Sequence, residues 1–140
     1  MKTIVNVMCP VQDQKLNQNG SNLIGYETLK AGTLSYYTPG TYRTKDGLSF
    51  FKFRFVELGN GKYEVDILEQ PSYRGRDDDA RVVHRLPSAR GGKKICVNVG
   101  YEPVSLHKAQ KLAMEWAELT NTYIKTGMSI DYQVRLNSMR

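Results

Sequence analysis

The chain has 140 residues, 40% of them apolar and 24% charged, with 5 prolines against 12 glycines. This is the size of one globular domain, spanning 1–140, and the composition excludes disorder, collagen, coiled coil and low-complexity repeats. Twenty lysines and arginines against fourteen acids leave a formal charge of +6, a balance that suits anionic partners and also serves solubility.

In chain order, residues 3–8 alternate as a short strand that Cys9-Pro10 stops. Residues 12–22 are almost entirely polar and read as a surface loop or arm. Two short strands, 33–37 and 42–44, flank Thr38-Pro39-Gly40, and Lys45-Asp46-Gly47 turns the chain into the strongest strand, 48–58. There Phe51, Phe53 and Phe55 share one face, opposite Lys52 and Arg54.

The next strand, 62–69, follows Gly59-Asn60-Gly61, and its register follows from charge. A two-residue loop would set Phe55 against Asp66 and Glu57 against Glu64, a buried carboxylate and a like-charge pair. A three-residue loop with Gly61 left-handed instead sets Phe55 against Val65, Phe53 against Ile67 and Arg54 against Asp66. The second register is expected.

Residues 70–80 form a loop, 81–86 a strand, 87–93 a turn-rich loop with Gly91-Gly92, and 94–99 another strand. From Ser105 the period changes to 3.6, and Leu106, Ala109, Leu112, Ala113, Trp116, Leu119, Thr120, Tyr123 and Ile124 make one stripe. Ser105 is the N-cap and Gly127 the stop. Ile130, Tyr132 and Val134 alternate in a last expected strand, 129–136. The fold class is therefore α+β, an antiparallel β-meander sheet backed by one long C-terminal amphipathic helix.

The densest functional signal is the segment 74–94. It holds Arg74, Arg76, Arg81, Arg85, Arg90, Lys93 and Lys94 against Asp77, Asp78 and Asp79. Basic loops beside a sheet contact phosphates, and Tyr73 and Tyr101, which flank the segment, can stack on unpaired bases. The competing reading pairs these arginines with the aspartates in a solvated surface network. Three consecutive aspartates in an extended run point to opposite sides and make a poor Mg²⁺ or Ca²⁺ site. A nuclease arrangement would draw on Asp66 and Glu69 with Lys52 or Lys62.

Two cysteines, Cys9 and Cys96, cannot alone build a four-ligand zinc site, and His84 and His107 lack paired metal spacing with them. No metal and no cofactor are expected. Cys96 follows Lys93-Lys94-Ile95, and nearby cations lower a thiol pKa, which makes it the enzyme candidate with His84 assisting. As a free cysteine between Ile95 and Val97 it reads better as buried filler, a structural residue. No window of about 18 apolar residues occurs and the first eight residues are too short for a signal peptide. A reduced, cytoplasmic protein with no membrane partner is expected.

His84, then Gly91-Gly92-Lys93-Lys94-Ile95-Cys96-Val97, then Pro103-Val104-Ser105-Leu106 opening a helix, resembles the active-site stretch of ubiquitin-conjugating enzymes over residues 63–124. The resemblance implies a thioester-forming Cys96. Arg85-Leu86 after His84, and Arg74 where a proline is expected after Tyr73, depart from that pattern. The stretch through Trp116-Ala117-Glu118 and Tyr123-Ile124-Lys125-Thr126-Gly127 resembles small plasmid and phage accessory proteins. The leading expectation is a non-enzymatic binding protein for nucleic acid or a nucleoprotein complex. The alternatives are a Cys96 conjugating enzyme and an accessory or inhibitor protein acting by protein–protein contact.

Overall fold

The computed structural model describes residues 29–34 and 40–139. The strand expected at 3–8, the polar arm and residues 35–37 of the 33–37 strand lie outside them. Five strands are described: β1 (Gly40–Arg43), β2 (Phe50–Glu57), β3 (Tyr63–Glu69), β4 (Arg85–Pro87) and β5 (Lys93–Ile95). The helices are α1 (Ala80–Val83), α2 (Leu106–Thr126) and α3 (Ile130–Ser138). The strands form one antiparallel sheet in the order β1-β2-β3-β5-β4. The α+β class with a long C-terminal helix holds.

Local chemistry explains the central hairpin. Phe53 lies opposite Ile67, Arg54 opposite Asp66 and Phe55 opposite Val65, the register that keeps Asp66 off the apolar face. The Leu58 N–H donates to the Lys62 carbonyl at 2.8 Å, closing a loop in which Gly61 has φ 83. Only glycine takes that conformation without a steric cost. The register shifts between Lys52 and Phe53. Leu34 bridges to Tyr42 of β1.

Helix α2 begins where the Ser105 hydroxyl accepts from the Lys108 N–H, and it ends at Gly127, φ 82, whose N–H donates to the Tyr123 carbonyl. Its stripe buries Ala109, Leu112, Ala113, Trp116 and Thr120 against the Phe51, Phe53, Val65 and Ile67 side of the sheet. Trp116 is fully buried. It meets Phe51 and Phe53 edge-on at 5.8 and 6.2 Å between ring centroids, a favoured aromatic geometry. Its indole N–H donates to the Val83 carbonyl at 3.0 Å. No helix among the described residues is long and apolar enough to cross a membrane.

Three expectations are corrected. Residues 129–136 form helix α3 rather than a strand, because Ile130, Gln133 and Val134 bury at helical spacing and the Ser129 hydroxyl caps the Tyr132 N–H. Segment 81–86 is one helical turn and a short strand: Asp79 caps α1 by accepting from the Arg81 N–H, and His84 ends it at φ 58. The strand expected at 94–99 runs only from Lys93 to Ile95, after which the Cys96 N–H donates to the His84 carbonyl.

Candidate nucleic-acid interface

The structure divides the basic segment in two. In the second half, the tight turn after β4 carries Arg90 back over β3. The Arg90 Nε–H donates to Asp66 Oδ2 at 2.7 Å, and its Nη2 donates to Glu64 Oε1 at 2.7 Å and Asp66 Oδ1 at 2.9 Å. Ser88 adds a hydroxyl donor to Asp66 at 2.8 Å, Arg54 donates from the neighbouring strand at 3.1 Å, and Lys94 donates to Glu64 at 2.7 Å. This follows from pairing, since Asp66 lies opposite both Arg54 on β2 and Lys94 on β5.

Asp66 is 1% exposed. Burial alone would raise its carboxyl, but hydrogen bonds from Arg90, Ser88 and Arg54 hold it below the usual carboxylate range. Glu64 behaves alike: burial opposes ionisation, and Lys94 and Arg90 override it. The Arg90 guanidinium is held charged, first by its hydrogen bond to Asp66. Buried carboxylates persist as ions only when charged donors satisfy them in this way.

Arg85 and Tyr73 are also internal partners. The guanidinium stands 5.0 Å from the Tyr73 ring centroid and donates to Gln70 Oε1 at 3.1 Å. Tyr73 is half-buried and tilted against Tyr123 at 6.2 Å. Its ring face is thereby taken. Tyr101 stands elsewhere, exposed on the loop before α2. Lys93 is half-buried on β5.

The first half faces outward. Arg74 and Arg81 are exposed, and the Arg74 guanidinium meets no carboxylate among the described residues, whereas Arg81 pairs loosely with Asp79 at 3.7 Å. The Arg76 Nε–H donates to the Ile124 carbonyl at 3.2 Å, where it meets the C-terminal end of α2. An added Cβ at Gly127 would lie 2.8 Å from Arg76 Nη1. Asp77 and Asp79 serve local turns: Asp77 accepts from the Asp79 N–H and Asp79 from the Arg81 N–H. Among the described residues no three His, Cys, Asp or Glu side chains gather as a metal site. The nuclease arrangement does not assemble either, because Asp66 is saturated by Arg90, Ser88 and Arg54, Glu69 pairs with Lys52 and Lys62 with Glu102.

The thiol alternative is corrected. Cys96 is buried and disulfide-bonded, so it presents no thiolate; the chain's other cysteine, Cys9, lies outside the described residues. The bond departs from the expectation of a reduced thiol at Cys96. His84 is engaged as well. Its Nε2 meets Asp131 Oδ1 at 2.7 Å, and its Nδ1 is buried without a partner among the described residues.

Reasoning on the sequence alone missed Asp66 and Glu64 as partners of Arg90 and Lys94. The register that sets Arg54 against Asp66 is legible in the sequence, but the approach of Arg90 and Lys94 depends on β3 pairing with β5, which no local pattern announces. No protein family, curated protein or solved structure matches this chain, so the site rests on its own geometry.

Proposed function

We propose that this chain is a non-enzymatic binding protein that engages nucleic acid, or a complex that handles it, through the outward cations Arg74, Arg76 and Arg81. Arg135 extends the set, since α3 is tied to α1 by His84 and Asp131 and Arg135 lies one turn further on, over the Tyr132 ring at 5.5 Å. The observation that carries the reading is the division of the segment. Arg90 and Lys94 are ion-paired with Asp66 and Glu64, whereas Arg74 and Arg135 reach no carboxylate among the described residues. The neighbouring Asp77 and Asp78 reduce the local excess, so the expected affinity is modest and strongly salt-dependent.

Fluorescence anisotropy with labelled single- and double-stranded oligonucleotides across a salt series tests the reading. Arg74→Glu with Arg81→Glu should lower the slope of log K against log salt by about 1.4 to 1.8, at 0.7 to 0.9 per phosphate contact. No affinity of the unmutated chain at low salt would sink it. Protein–protein contact is the second reading, favoured by a separate exposed apolar surface.

A further inference from the structure

Nine large apolar side chains are exposed among the described residues, and four of them fall within eight positions: Val99, Tyr101, Val104 and Leu106. Val99 is 92% exposed. The loop that carries them is fixed. The Tyr101 N–H donates to the Asn98 carbonyl at 3.0 Å, and the Tyr63 N–H donates to the Pro103 carbonyl at 2.9 Å. The Glu102 carboxylate, the one acid in residues 98–111, accepts from the Gly100 N–H at 3.0 Å and pairs with Lys62 at 3.5 Å. Lys108 and Lys111 follow at i, i+3 spacing on the exposed side of α2, and neither reaches a carboxylate among the described residues. The first turn of α2 has no acidic residue, so the positive end of the helix dipole adds to these charges.

From this juxtaposition we infer that the 99–106 loop and the first two turns of α2 form a docking surface for an acidic segment of a partner protein that carries apolar anchors. An apolar centre with a charged rim is the anatomy of a protein interface, and a loop held by its own hydrogen bonds loses little freedom on binding. Charge selects the occupant. A second copy of this chain in a symmetric contact would bring Lys108 and Lys111 towards their own counterparts. Nucleic acid would find one stacking ring, Tyr101, among three aliphatic side chains. An anionic bilayer would find two lysines and a small apolar tip, short of the paired signals that hold a peripheral protein.

The inference uses residues other than the outward arginines and stands apart from the nucleic-acid reading. Selection of a random peptide library displayed on phage against the immobilised full chain tests it, followed by anisotropy titration of a recovered peptide. Recovered sequences should interleave Asp or Glu with aromatic or aliphatic residues. Val99→Glu or Val104→Glu should weaken binding roughly tenfold, and Lys108→Glu with Lys111→Glu roughly fivefold, with unchanged melting. Failure to enrich, enrichment without acids, or binding indifferent to Val99→Glu would overturn the inference. So would reassignment of the surface by sedimentation with phosphatidylserine vesicles, by a dimer lost in Val99→Glu, or by oligonucleotide binding lost in Lys108→Glu with Lys111→Glu.

Discussion

The two halves of the basic segment contain the same residue types and put them to opposite uses. Arg85, Arg90 and Lys94 lie on or beside strands whose pairing brings carboxylates, an amide and a ring within reach. Arg74 and Arg81 lie on a loop and a one-turn helix whose neighbouring acids are committed to capping backbone N–H groups. Cation density in a sequence therefore measures potential contact with phosphate only after the sheet has taken its share. The sheet takes the cations that stand opposite an acid.

Four perturbations break or sharpen this contrast. Trp116→Ala sets the scale, since emptying a fully buried site of this size costs about 3 to 5 kcal/mol, read by chemical denaturation. Arg90→Ala comes next. It leaves Asp66 buried with one charged donor fewer, and breaking such a pair costs about 3 kcal/mol. The double variant Arg90→Ala with Asp66→Ala should recover part of that loss, and strict additivity would show that the pair is uncoupled.

Acid comes third. Asp66 and Glu64 have folded-state pKa values below their ordinary ones, 3.8 and 4.5. Their contribution is complete above those values and is lost as pH falls through the folded-state values. Denaturation midpoints should therefore drop steeply below about pH 4.5, and Arg90→Ala should flatten that drop. The smallest effect belongs to the outer half, where Arg74→Glu with Arg81→Glu should change stability by less than about 0.5 kcal/mol. A large loss there would show that the outer arginines hold the fold too.

Helix α2 was legible to the residue because three signals agree: a 3.6-residue stripe, a serine N-cap and a glycine stop. The hairpin register was legible because one alternative buries a carboxylate on the apolar face. Helix α3 was misread since Ile130, Tyr132 and Val134 also satisfy a period of two; the capping Ser129 was the discriminating residue. Segment 81–86 failed for a different reason. Its alternation is real, but Asp79 starts a helical turn and His84 ends it in a conformation that sequence does not advertise. The division of the basic segment was illegible, since Arg90 and Asp66 are 24 residues apart and meet only because β5 adds to β3 ahead of β4.

Helix α1 is a single turn, far too short to persist alone in water, yet three parts of the chain are anchored to its last residue and its cap. The Val83 carbonyl holds the Trp116 indole of α2, the His84 carbonyl holds the Cys96 amide after β5, and the His84 ring holds Asp131 of α3. Unwinding that turn means releasing all three together, so its amides should exchange with solvent through the same opening as the core rather than by fraying. Arg74 and Arg76 lie on the loop just ahead of this junction and Arg81 lies within its turn, so the outward cations stand beside the point where α2, β5 and α3 are tied together.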